Sequence, residues 1–168
     1  NRLKERGFIQ WPCPTTDHPG TNIVHKDGAF LRGLALFTPT PWRPPSQHIE
    51  AQFPFMLTTG RNLFHYNVGT MTRRTGISKL QPAQEEKLRI NPQDALRLKL
   101  QDGQLVAVRS QYGCVEVKCL ITTESPPGTV FMTFHYPETR TNLLIGLEAD
   151  SYTSCPEYKV TAVAIEAC

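Results

Sequence analysis

The spacing of apolar positions changes near residue 53 and divides the chain. Over residues 1–52, short apolar pieces alternate with turn chemistry at Pro12, Pro14, Pro19-Gly20, Asp27-Gly28, Pro39, Pro41 and Pro44-Pro45. So little periodic apolar sequence cannot build a core of its own and predicts an extended arm that packs on a larger body. Within it, Leu34-Ala35-Leu36-Phe37 predicts one strand, Pro39 to Pro45 a stiff connector, and Trp11 and Trp42 packing anchors. Residues 53–168 read as a conventional domain. Phe53 to Thr58 predicts a strand, and residues 60–80 a loop with a short helical turn. Asn91 is suited to cap a helix whose first position is Pro92, with Ala95, Leu96, Leu98 and Leu100 apolar and Asp102-Gly103 as the stop. A hairpin follows, Leu105 to Ser110 and Val115 to Ile121, turning around Gln111-Tyr112-Gly113. In its return strand Val115, Val117 and Cys119 face one way and Glu116 and Lys118 the other. Pro126-Pro127-Gly128 turns into Val130 to Phe134, and a last strand runs from Lys159 to Ile165. Short mixed strands with one or two helices predict a mainly β chain closed into a barrel.

Composition narrows the function. A chain of 168 residues suits one domain with an accessory segment. Its 18 basic and 15 acidic residues leave a net charge of +3 with no long basic run, which argues against nucleic-acid binding. The basic cluster Arg61, Arg73, Arg74 and Lys79 suits a compact anion instead. No apolar run approaches the ~20 residues of a membrane helix, so no membrane insertion is expected. Five cysteines, Cys13, Cys114, Cys119, Cys155 and Cys168, lack Cys-x-x-Cys spacing, which points to reduced thiols in a cytoplasmic protein. The chain opens at Asn1 without a methionine and reads as a fragment or a processed subunit.

The chemistry concentrates after the first domain strand. Thr58, Thr59, Thr70 and Thr72 offer hydroxyls, and Gly60 and Gly69 an unencumbered backbone. Arg61, Arg73 and Arg74 offer guanidinium forks, and Asn62, His65, Tyr66 and Asn67 offer polar edges. Backbone N–H groups at glycine and bidentate arginine suit phosphate oxygens; an ordinary polar surface loop has the same composition. No Gly-x-Ser-x-Gly elbow, Walker loop or His-Glu-x-x-His helix occurs, so no catalytic residue and no metal ligand is expected within the chain. Cys13 in Trp-Pro-Cys-Pro is a poor candidate for either role, and His18, His25 and His48 lack metal-like spacing.

The segment Leu57-Thr58-Thr59-Gly60-Arg61, with His65 and then Gly69-Thr70-Met71-Thr72, resembles the C-terminal molybdopterin-dinucleotide-binding domain of molybdenum or tungsten oxidoreductases of the dimethyl sulfoxide reductase superfamily. The resemblance is to formate dehydrogenase catalytic subunits above all. Three further segments agree in order: Ile90-Asn91-Pro92-Gln93-Asp94-Ala95; Pro126 to Met132 running into Phe134-His135; and Asn142-Leu143-Leu144 with Pro156-Glu157-Tyr158-Lys159-Val160. Upstream, Ile9 to Pro14 and His18-Pro19-Gly20-Thr21 also resemble the formate dehydrogenase approach to this domain. The resemblance implies a six-stranded double-psi barrel of the aspartate-decarboxylase-like kind and molybdopterin guanine dinucleotide as cofactor. It implies as partners the preceding domains of a parent catalytic subunit, which would hold the metal, and that complex's electron-transfer subunits.

Chemistry and resemblance together nominate the cofactor contacts. The diphosphate suits Thr58, Thr59, Gly60 and Arg61. The pterin edge suits His65, Asn67, Thr70, Thr72, His135, Asn142, Tyr158 and Lys159. His135 equally suits a satisfied core histidine, Tyr158-Lys159 the mere opening of a strand, and Arg73-Arg74 a solvated pair. A shared site requires the Arg61 loop, His135, Asn142 and Tyr158-Lys159 to converge on one face. The alternatives are the same domain of a nitrate reductase or another superfamily member, or a non-catalytic β-barrel interaction module.

Overall fold

The structure is a computed structural model that describes residues 2–28, 30, 33–76 and 85–168. Lys79, of the expected basic cluster, and the part of the expected loop at residues 77–80 lie outside the described residues. The chain forms two compact units, Asn1–Arg43 and Pro44–Cys168.

The second unit is a closed barrel of six strands: β1 (Phe55–Gly60), β2 (Lys87–Ile90), β3 (Leu105–Arg109), β4 (Cys114–Ile121), β5 (Thr129–Thr133) and β6 (Thr161–Ala167). Round the barrel they run β1, β5, β2, β4, β3, β6. Two pairs are parallel, β1 with β5 and β2 with β4, and the other four are antiparallel. The closed six-stranded barrel expected from the resemblance is the observed fold. Alternation fills its interior: Phe55, Leu57, Leu88, Ile90, Val106, Val108, Val117, Val130, Met132 and Val163 are all buried in one cluster. Glu116 and Lys118 point outward between buried Val115, Val117 and Cys119, the expected period of two.

Several expected boundaries move. β1 starts at Phe55, after a turn in which Glu50 and Phe53 exchange backbone hydrogen bonds. β6 starts at Thr161 because a turn at Glu157–Val160 comes first. The expected apolar stripe on the helix Pro92–Arg97 fails at Leu96, which is 79% exposed, while Ala95 alone of the apolar side chains in that helix is buried. The Asn91 cap is present: its Oδ1 accepts the Gln93 N–H at 2.9 Å and its Nδ2 donates to the Ser125 carbonyl at 2.8 Å. Buried Asp94 accepts the Gly128 N–H at 2.6 Å, tying this helix to the turn before β5.

The barrel unit begins upstream of its first strand. Buried Gln47 accepts the Ala162 N–H at 2.9 Å, and the Ser46 N–H and hydroxyl both donate to Glu157. In the first unit, a short helix Arg2–Arg6 is followed by irregular chain tied together by the Thr21 hydroxyl on the Pro12 carbonyl and the Cys13 thiol on the His18 carbonyl. Leu34–Phe37 is not a strand and its large side chains are exposed. Trp11 and Trp42, expected as anchors, are 79% and 82% exposed. Trp11 lines an open, mainly apolar hollow with Val24, Phe30, Leu34 and Leu36. The five cysteines are unpaired. Among the described residues, no helix is long and apolar enough to cross a membrane, and no group of acidic, histidine or cysteine side chains could hold a metal ion.

Candidate functional site

Topology gathers one end of the barrel. β1 and β5 run parallel with Gly60 opposite Thr133, so both strands end there. β6 and β2 run antiparallel to β1 and β5 respectively, so both begin there. The loop that follows β1 therefore meets the residue after β5, the entry to β2 and the turn before β6.

His135 fixes that loop. Its buried ring accepts the Asn62 N–H at Nε2, 2.9 Å away, and donates from Nδ1 to the Asn67 carbonyl, a pairing that only the Nδ1–H tautomer satisfies. Both ring nitrogens are thus engaged with backbone. Asn62 in turn accepts the His65 N–H at 3.1 Å, and Thr72 accepts the Tyr66 N–H at 3.2 Å while its hydroxyl lies 3.1 Å from His65 Nδ1. Gly69 has φ of 71° and lies against the Arg73 side chain, where a Cβ would sit 2.8 Å from it. Arg73 continues over the Tyr136 ring to Glu138 at 2.7 Å.

His65 is itself buried, 5.3 Å from the His135 ring and edge-on to Tyr136 at 5.6 Å. Burial, then the neighbouring His135 and Arg73, lower its pKa from the ordinary 6.5. The unfolded chain therefore binds the proton more tightly. Stability from neutral His65 is fully present above 6.5 and is lost as pH falls through the lower folded value. The denaturant midpoint should drop between about pH 7.5 and about pH 5.5, and by less in His65→Gln; equal drops in the two proteins would exclude His65 as the source.

The second convergence is at the start of β6. The Thr59 hydroxyl donates to the Tyr158 carbonyl, and the Lys159 ammonium donates to the Thr59 carbonyl. Gly60 lies beside them, and a Cβ on it would fall 2.7 Å from the Phe131 ring, so close approach of that ring demands glycine. The Arg61 loop and Tyr158-Lys159 thus share one end of the barrel. Thr58 does not join them. It lies opposite Phe131 on the outer wall, in a hollow that Arg89 and Glu124 also line.

Among the described residues, Tyr136 lines two clefts at this end. One, of about 440 Å³, has Arg61, Asn62, Lys87 and Arg89 as polar walls, with Glu85, Glu86 and Thr133. The other, of about 260 Å³, joins Val68, Phe134 and Pro137 to Arg140, Thr141 and Asn142. Of the nominated residues, Arg61, Asn67, Thr70, Asn142, Tyr158 and Lys159 are exposed. Thr59, His65 and His135 are buried, and Thr72 and Lys159 are also committed to the protein's own hydrogen bonds. Glu86, Gln47 and Asp94 are further buried polar groups, and nothing in their local sequence distinguishes them from surface residues.

A family model described as "Molydopterin dinucleotide binding domain" matches residues 55–162. The chain belongs to this family. The matched residues span the barrel from the first residue of β1 into β6. The domain is 42% identical over 167 residues to the F420-dependent formate dehydrogenase subunit alpha of Methanocaldococcus jannaschii, a match covering 98% of this chain and 24% of that protein. It is 34% identical over 168 residues to the assimilatory nitrate reductase catalytic subunit of Bacillus subtilis, again covering 98% and 24%. The chain therefore spans about a quarter of the length of these relatives. Its fold is similar to part of the acetylene hydratase of Pelobacter acetylenicus, with a TM-score of 0.59 at 14% identity over 69% of this chain and 18% of that one.

The donor set fits a dinucleotide of this kind. A diphosphate needs cationic and N–H donors, and the larger cleft offers Arg61 and Lys87, with Arg89 already paired to Glu124. A heterocycle edge needs groups that donate and accept, and Asn142 supplies an exposed amide beside the aromatic wall of Tyr136 in the smaller one.

Proposed function

We propose that this domain binds molybdopterin guanine dinucleotide within the catalytic subunit of a molybdenum- or tungsten-dependent formate dehydrogenase, where the rest of the subunit converts formate to carbon dioxide. Bound there, the cofactor supplies the redox chemistry, and this chain supplies position and charge. Arg61 meets the diphosphate from the larger cleft, with Lys87 and Arg89 as further positive charge. Asn67, Thr70, Asn142 and Tyr158 face the ring systems. Thr59, Gly60, His65, Thr72, His135 and Lys159 act from behind as the frame of the binding loop. The observation that carries this reading is Arg61 itself: an exposed guanidinium, 5.7 Å from the Tyr66 ring, at the mouth of a cationic cleft on a loop held from beneath by buried histidines.

Formate rather than nitrate rests on the higher identity to the formate dehydrogenase subunits, 42% against 34%. Assay of the full-length protein with either substrate separates the two. A cytoplasmic setting accords with five unpaired cysteines. The arm is then residues 1–43, whose exposed Trp11, Leu34, Phe37 and Trp42 need cover.

Arg61→Ala in the full-length protein should lower retained molybdenum or tungsten and released guanine nucleotide, because a charge-assisted phosphate contact contributes about 1.5–3 kcal/mol. Metal and nucleotide content equal to wild type, with normal turnover, would remove Arg61 from the site. A full-length protein that releases no pterin or guanine nucleotide on denaturation would favour the interaction-module reading.

A further inference from the structure

Glu86 is a carboxylate only 4% exposed in the wall of the larger cleft. A buried carboxylate is costly unless its oxygens are met by donors. Here they are. The Thr133 N–H reaches Oε1 at 2.9 Å, the Thr133 hydroxyl donates to Oε2, and the Lys87 N–H reaches Oε1 at 3.2 Å. Burial nonetheless pushes its pKa up, against the pull of these three bonds and of His135.

The position of these bonds matters. β2 and β5 share a single register pair, Arg89 opposite Phe131. Beyond it, toward the cleft, the Glu86 side chain joins the two strands where a ladder rung would otherwise stand. Its partner Thr133 ends β5, and the same hydroxyl accepts the His135 N–H at 3.4 Å. His135 then holds Asn62 and Asn67, the two ends of the loop that follows Arg61. A continuous chain of contacts runs from Glu86 through Thr133 and His135 to that loop.

We propose that Glu86 is a positioning residue: acting through Thr133 and His135, it sets the place of the Asn62–Asn67 loop, and so of Arg61, at the cofactor cleft. This rests on the cofactor reading above. The role is one of hydrogen-bond geometry, not of charge. Arg61 and Lys87 line the same cleft, while Arg89 is paired with Glu124, so the cations there do not depend on Glu86 for a partner. Glutamine at this position can accept both N–H groups at its carbonyl and donate from its amide to the Thr133 oxygen, so it keeps the three pairings with only the hydroxyl bond reversed. Leucine preserves only the volume.

The test uses the cofactor-loaded full-length protein with Glu86→Leu, Glu86→Gln and Thr133→Val, read by hydrogen exchange at the Asn62 amide and by metal content. In Glu86→Leu, Asn62 exchange should quicken about tenfold or more while the amides within β1 and β5 hold, since one buried donor set is lost. Metal content should fall in the same variant. Glu86→Gln should stay within about twofold of wild type on both readouts, a difference that small being under half a kcal/mol. Thr133→Val, which keeps the N–H bond and loses the hydroxyl, should quicken Asn62 exchange by less than Glu86→Leu, and it carries the test if Glu86→Leu fails to fold. Wild-type exchange in both Glu86→Leu and Thr133→Val overturns the proposal, as does a Glu86→Gln protein impaired as far as Glu86→Leu. Arg61→Ala run beside them keeps the two ideas apart: wild-type metal content there sinks the cofactor assignment, while the exchange data still decide what Glu86 positions.

Discussion

Leu88→Ala should destabilise the barrel by about 3 kcal/mol, within the 2–5 kcal/mol typical of a buried leucine truncated to alanine. Leu88 is fully buried, faces the interior with Ile90, and lies opposite Cys119 of β4. β2 has four residues, Lys87–Ile90, yet it joins β4 on one side to β5 on the other. Its inward face consists of Leu88 and Ile90 alone, so a cavity at Leu88 weakens the strand that closes the cylinder. The surroundings are strands held in register on both sides and have little room to collapse into the void. Chemical denaturation should show a lower midpoint with an unchanged slope. A loss below about 1 kcal/mol would mean that β2 is not a load-sharing part of the core. Leu96→Ala, on the exposed face of the helix Pro92–Arg97, serves as the control and should stay within about 0.5 kcal/mol.

That strand is also the one that periodicity did not reveal. In Lys87-Leu88-Arg89-Ile90 the alternation lasts only four residues, and half of them are charged, so the pattern reads as polar surface. The β3–β4 hairpin was legible because Val115, Val117 and Cys119 alternate with charged residues over a longer run and a glycine turn precedes them. The Asn91-Pro92 cap was legible because its signal is local. The number of strands, six, came from resemblance, since nothing in local spacing says that β2 must lie between β4 and β5. The site shows the same division. Residue types told of a loop suited to an anion, but not which polar groups the protein would spend on itself. The Lys159 ammonium is turned onto the Thr59 carbonyl, and Thr59 onto Tyr158, pairings about a hundred residues apart in sequence. His135, Thr72 and His65 likewise serve the loop from below. Buried Gln47, Glu86 and Asp94 went unnoticed because a polar residue is assigned to the surface until its partner is known. In the first unit the reverse holds: Trp11 and Trp42 look like core residues yet stay exposed, Trp11 at the edge of an open hollow with Val24, Phe30, Leu34 and Leu36.

His135→Leu should cost more than any other change to the loop, because both partners of the ring are backbone groups that no rotamer change can reassign. Leucine fills much the same volume and keeps the core dry, while the Asn62 N–H and the Asn67 carbonyl lose their bonds. Both bonds are only part-buried, so each group left unpaired costs toward the lower end of about 1–3 kcal/mol, which predicts a loss near 2 kcal/mol for the pair. The loop relaxes by opening, since Asn67 is held in the left-handed region, with φ of 49°, and loses the contact opposite that strain. Arg61 is then no longer fixed at the cleft, so the full-length protein should retain less cofactor than Arg61→Ala, in which only one contact is missing. His135→Gln separates geometry from bulk. One side-chain amide offers one acceptor and one donor, the two functions that the Nδ1–H imidazole supplies, so glutamine should recover part of both stability and cofactor content. If His135→Leu kept wild-type metal content and slow Asn62 exchange, the loop would have to be held by the Asn62 and Thr72 turns alone, and the histidine would be an ordinary core side chain.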